Sequence, residues 1–194
     1  MVEVIRRAGW GAALPTGPFT SHTISRVTVH HTAAILTDNR NAPRVLAGHQ
    51  RFHQDSGFVD LAYHMVVDRN GNVYEARDLG IAGETFTNYD PVGHFLPVLD
   101  GNFEEQDVSE AQFDRLVDLV AWGLGEFGLD IGTIAGHRDL ASTACPGAFV
   151  YSRMQDGTLQ GQVSERLAAG GVRLAYLDDE ASQERVAAIE AGNA

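Results

Sequence analysis

A single cysteine, Cys145, stands among 194 residues. No internal disulfide can form, so nothing covalent staples this chain and its fold must rest on an apolar core. Hydrophobic residues make up 44% of the sequence, enough to build one. The length suits one domain, or one domain with an appendage. A lone thiol also argues against a multi-cysteine structural zinc site. Cys145 is left with two readings, a buried small hydrophobe or a chemical group.

Local patterning fills in the elements. Residues 4–22 read as loop, with Gly9, Gly11, Pro15, Gly17 and Pro18. Ser25 to Thr32 alternates and is β-branched, which predicts a strand carrying His30 and His31 at its end. Asn41 to Asp55 reads as a helix with Pro43 in its first turn and Val45, Leu46, His49, Phe52 and His53 on one face. Leu61 to Val67 and Asn72 to Ala76 flank Asn70-Gly71, a hairpin signal. His94 to Leu99 is predicted as a further strand. Ser109, with Gln112 three residues on, forms a capping-box pattern ahead of Phe113, Leu116, Val117, Val120, Leu124 and Phe127, and Gly128 suits the stop. Past Tyr151 the texture changes. Val163 to Leu167 and Ala181 to Ala191 look helical, with a break at Gly170-Gly171. The expected organisation is a main domain over residues 1–152 and an accessory, partly helical segment over residues 153–194. Strands interleaved with helices predict an α/β class with a central mixed sheet flanked by helices.

Charge removes one class of partner. Acidic residues number 26 against 14 basic, a net charge of −12, where a nucleic-acid binder shows a basic face. Every basic residue is Arg. No apolar run reaches the ~20 residues that cross a bilayer, and Met1 to Arg7 lacks the apolar stretch of a signal peptide. The expectation is a monomer made in the cytoplasm, without membrane insertion.

Three places hold borderline-soft metal donors: His30-His31, His137 and Cys145. His137 and Cys145 lie eight residues apart, close enough for one loop to bring both to one ion. A strand-end histidine would supply the third ligand, and a two-His, one-Cys set leaves a fourth position for water, as catalytic zinc sites do. Spacing alone leaves open which histidine of the pair takes part, and whether a metal binds at all.

Five motifs in order narrow this: RAGWGA (7–12), VTVHHT (27–32), YHMVVDRNGNVYEAR (63–77), LDGNFEEQDVSEAQ (99–112) and AGHRDLASTACPG (135–147). Together they resemble the type 2 N-acetylmuramoyl-L-alanine amidases and the related peptidoglycan recognition proteins, a family that includes phage-lysozyme-like zinc amidases. The resemblance spans about residues 5–152. It implies the amidase fold with a zinc site at the edge of a substrate groove, and it implies Zn²⁺ held by His30, His137 and Cys145. The family's active-site tyrosine falls on Tyr63, and the position two before the cysteine is Thr143. The implied reaction is hydrolysis of the amide between N-acetylmuramic acid and L-alanine in peptidoglycan. Zinc would polarise the carbonyl and lower the pKa of its water. Tyr63 would serve the oxyanion or a proton transfer, and Thr143 would orient substrate or water.

The chain departs from the family pattern in the loop AGETFTNYDPVG (82–93). Glu84 stands where a histidine is often found, and Asn88-Tyr89-Asp90 replaces a Gly-aromatic-Asn run. This loop is expected to line the muropeptide groove, with Glu84, Phe86, Tyr89 and His31 as candidate substrate contacts. The alternative function is a peptidoglycan-binding module that does not hydrolyse, and a third is a zinc-stabilised structural domain. A phage endolysin catalytic domain acting on the wall is the expected setting, ahead of a recycling enzyme for cytosolic muropeptides.

Overall fold

The computed structural model describes residues 1–194. Eight strands make one mixed sheet: β1 (Val2–Ile5), β2 (Arg26–His31), β3 (Met65–Val67), β4 (Val73–Glu75), β5 (His94–Phe95), β6 (Pro97–Leu99), β7 (Ile134–Gly136) and β8 (Leu174–Tyr176). Their order is β5-β2-β6-β3-β4-β1-β8, with β7 also paired to β2. All pairings are parallel except the β3–β4 hairpin, which turns through Asn70-Gly71 as its sequence predicts. Five helices cover the sheet: α1 (Ala42–Asp55), α2 (Glu110–Phe127), α3 (Ala148–Gln155), α4 (Thr158–Ala168) and α5 (Asp179–Glu190).

Alternation along each strand sorts side chains to two cores. Met65 and Val67 enter one apolar cluster and Val66 the other; Val4 and Ile5, Val73 and Tyr74, and Leu99 and Val98 divide in the same way. The larger cluster lies under α2 and takes in Val150, Leu159 and Val163 from α3 and α4. The smaller one takes Leu46 from α1 and Val186 and Ile189 from α5. Burial on both faces explains why β3 and β6 are wholly apolar.

Helix α2 starts and stops where its sequence says. Ser109 Oγ accepts the Gln112 N–H at 3.1 Å, and Gly128 closes the helix in the left-handed conformation. The other half of the expected capping box is missing. The Gln112 amide donates instead to Val67 O at 2.9 Å and Asp100 O at 3.0 Å, tying the helix to the sheet.

Three other expectations need correction. Residues 4–22 are not all loop: Val4 and Ile5 belong to β1, held between β4 and β8 by long-range pairing. The expected strand from His94 to Leu99 is two pieces broken at Leu96, whose N–H and carbonyl bond His64 instead. Both pieces keep one register on β2, Arg26 opposite His94 and His30 opposite Val98. On α1 the buried face is Pro43, Leu46, Gln50 and His53, and Phe52 is 59% exposed.

The sheet does not stop at residue 152. β8 adds to β1 with Val2 opposite Leu174, and Arg6 N donates to the buried Ser182 Oγ at 3.0 Å. Arg166 of α4 pairs with Asp114 and Asp118 of α2. The last forty residues therefore share both cores with the rest of the chain.

Candidate metal centre and groove

Register brings the first two donors together. Val29 of β2 lies opposite Gly136 of β7, so His30 and His137 follow side by side, ring centroids 4.5 Å apart. After β7 the chain turns through His137–Asp139 and doubles back. Arg138 N donates to Cys145 O at 2.9 Å, and the Arg138 guanidinium holds Ala144 O and the Glu104 carboxylate. Asp139 accepts Gly136 N–H at 2.7 Å and the Tyr151 hydroxyl. These bonds fold the loop so that Cys145 returns to the end of β2. Its Sγ accepts the His31 N–H at 3.3 Å and lies 3.5 Å from His30 Nδ1.

Donor atoms of His30, His137 and Cys145 all lie within 4.8 Å of one another, and all three residues are buried. Two imidazole nitrogens and one sulfur suit a borderline-soft divalent ion such as Zn²⁺. Burial holds His30 well below the usual histidine range and His137 at about 4, so both rings are neutral and free to ligate near pH 7. Burial also pushes the Cys145 thiol up to about 12. A cation bound there would have to displace the thiol proton, which makes binding pH-dependent.

The cluster lies in a groove of about 340 Å³ lined by Tyr63, Thr143, His31, Glu84, Phe86 and Thr87 among others. Tyr63 precedes β3 and sets its ring 5.2 Å from that of His30. Burial raises its pKa, so it carries its proton at neutral pH, and its hydroxyl makes no hydrogen bond to protein. Thr143 Oγ1 accepts the Cys145 N–H at 3.2 Å and so caps the loop that carries the sulfur.

The remaining candidates divide. Strand alternation turns His31 away from His30, and its Nδ1 accepts the Phe103 N–H at 3.2 Å. The Glu84 carboxylate is committed to the buried Arg77 and to Val59 N–H at 2.9 Å, so it anchors its loop. Phe86 is 62% exposed and stacks on Phe58 with centroids 4.4 Å apart at the groove rim. Tyr89 reaches inward, its hydroxyl 3.2 Å from His30 Nε2. Sequence reasoning passed over Thr87, whose hydroxyl lies 2.8 Å from His137 Nε2. It also put Phe52 on one face of α1 with Leu46 and His53, whereas the structure exposes it at the groove wall. Nothing local marks Thr87.

Sheet topology and donor set together define the peptidoglycan amidase and recognition class. The sequence profile of the N-acetylmuramoyl-L-alanine amidase family (Amidase_2) matches residues 20–148, and the chain belongs to this family. It is 28% identical over 158 residues to peptidoglycan-recognition protein SC2 of Drosophila melanogaster, covering 79% of this chain and 85% of that one. The solved structure of Drosophila peptidoglycan recognition protein SD superposes with a TM-score of 0.73 at 28% identity, over 80% of this chain and 94% of the other. An ectodomain complex of peptidoglycan recognition proteins LCa and LCx, solved with tracheal cytotoxin bound, gives 0.71 at 28% identity over 80% and 95%.

Proposed function

We propose that this chain is a zinc-dependent N-acetylmuramoyl-L-alanine amidase that hydrolyses the bond between N-acetylmuramic acid and L-alanine in peptidoglycan. The observation that carries the reading is the complete donor set, His30, His137 and Cys145, gathered in an open groove without a fourth side-chain donor. When bound, zinc supplies Lewis acidity toward the amide carbonyl and makes water a stronger nucleophile at neutral pH.

The chain's own groups do the rest. Tyr63, protonated and without a protein partner, donates to the carbonyl oxygen as negative charge develops on it. Thr143 keeps the Cys145 loop in shape from the groove side. Phe52, Phe58 and Phe86 give the groove an apolar wall against which the muropeptide loses water. The tracheal cytotoxin bound to the related LCa–LCx complex supports a peptidoglycan fragment as ligand. We assign the site of action to the cell wall, with a monomer as the working unit.

The matched relatives are named for recognition, which favours binding without cleavage as the second reading. Mass spectrometry of zinc-loaded protein acting on sacculi and defined muropeptides separates the two. The amidase releases stem peptides with a free L-alanine amine, chelation stops it, zinc restores it, and Cys145→Ser abolishes turnover. Tight binding of intact muropeptides by metal-loaded protein, with no free peptide, would establish the recognition reading instead.

A further inference from the structure

Both histidines of the metal cluster have Nε2 within hydrogen-bond reach of a hydroxyl from one loop. His137 Nε2 lies 2.8 Å from Thr87 Oγ1, and His30 Nε2 lies 3.2 Å from Tyr89 Oη. Thr87 Oγ1 is in turn 2.8 Å from Thr85 Oγ1, which also accepts the Thr87 N–H at 3.1 Å. The Tyr89 ring packs beside the two imidazoles, with centroids 5.0 Å from His137 and 6.3 Å from His30.

A neutral imidazole has one N–H and one bare nitrogen, and the partner of one nitrogen decides which is which. A hydroxyl that accepts from Nε2–H leaves Nδ1 bare. For His30 that bare nitrogen is the one facing Cys145 Sγ at 3.5 Å. A relay in which Thr87 Oγ1 accepts from His137 Nε2–H and donates to Thr85 Oγ1 satisfies all three groups.

We propose that Thr87, backed by Thr85, and Tyr89 are positioning residues that hold His137 and His30 as Nε2–H tautomers, so that both present Nδ1 to the metal. The proposal rests on the zinc reading above and goes beyond it. The loop that departs from the family pattern would then orient the metal ligands as well as line the groove.

The test is zinc affinity by chelator competition for wild type, Thr87→Val, Thr87→Ser and Tyr89→Phe. Melts of the zinc-free proteins check folding, and ¹⁵N imidazole shifts report the tautomers. Thr87→Val and Tyr89→Phe are expected to bind zinc roughly 10–100-fold more weakly. Thr87→Ser should stay near wild type, and the His137 ring of Thr87→Val should lose its Nε2–H signature. Should Thr87→Val fail to fold, Tyr89→Phe and the His30 tautomer decide. Unchanged affinity in Thr87→Val, or an equal loss in Thr87→Ser, overturns the proposal in favour of plain packing. A wild-type protein that takes up no zinc overturns the amidase reading and this proposal together. Zinc uptake without muropeptide cleavage overturns only the former.

Discussion

Tyr63 has a geometry that decides what its loss should do. Its half-buried ring lies on the groove wall 5.2 Å from that of His30, and its hydroxyl makes no hydrogen bond to protein. The O–H is therefore free to bond whatever enters the groove. Tyr63→Phe keeps the ring and removes the donor. We expect kcat for muropeptide cleavage to fall by roughly 10²–10³, the usual loss for one oxyanion donor, with zinc content unchanged. Steady-state kinetics beside metal analysis would check this. Turnover equal to wild type would reduce Tyr63 to a packing role. Thr143 differs, because its hydroxyl already serves the Cys145 N–H. Its loss should act on the loop before it acts on chemistry.

The element that holds the sulfur is a loop, and its rigidity comes from contacts outside itself. Gly147 has φ 91° and ψ 147°, and a Cβ there would stand 2.5 Å from the Phe103 backbone. Phe103 also accepts the Phe149 N–H at 3.0 Å and gives its own N–H to His31 Nδ1. Cys145 is thus clamped between the end of β2 and the Phe103 turn. Gly147→Ala should cost at least ~1–3 kcal/mol from backbone conformation alone, with the collision in addition. Urea unfolding at constant slope would read the stability, and chelator competition the accompanying loss of zinc affinity. A variant as stable as wild type would show that Phe103 does not clamp this loop. At this scale α2 was the most legible element, since its cap, apolar repeat and terminal Gly128 are all local. The strands β1 and β8 were not legible. Three or four residues carry little periodicity, and what makes them strands is pairing between residues more than 170 apart.

Across the whole molecule, buried neutral histidines tie stability to pH. His64 is fully buried, accepts the Leu96 N–H on Nδ1 and faces Ile81 O with Nε2, each at 3.0 Å. Burial lowers its pKa from 6.5 to about 3, and that of His53 from 6.5 to about 4. The folded state then binds fewer protons than the unfolded one below pH 6.5. Stability from these groups is present above pH 6.5 and is lost as pH falls toward the folded values. At pH 5, His64 alone should remove about 2 kcal/mol, with His53 acting in the same direction. Urea midpoints at pH 7 and pH 5 would check it; equal midpoints would mean that protons reach these rings without unfolding the chain. The sequence by itself determined the α/β class, the major helix, the hairpin and the family to which the motifs belong. Through that resemblance it also indicated His30, His137 and Cys145, because strand ends and a short loop carry them in recognisable runs. Only the tertiary structure showed that residues 153–194 complete the sheet, that Glu84 is held by Arg77, and that Thr87 and Tyr89 reach the histidines. Most of these are contacts between residues far apart in the chain, and the Glu84–Arg77 pair closes within one irregular loop; all are set by register and by the burial of polar groups that need partners. Such contacts leave no period along the chain from which to read them.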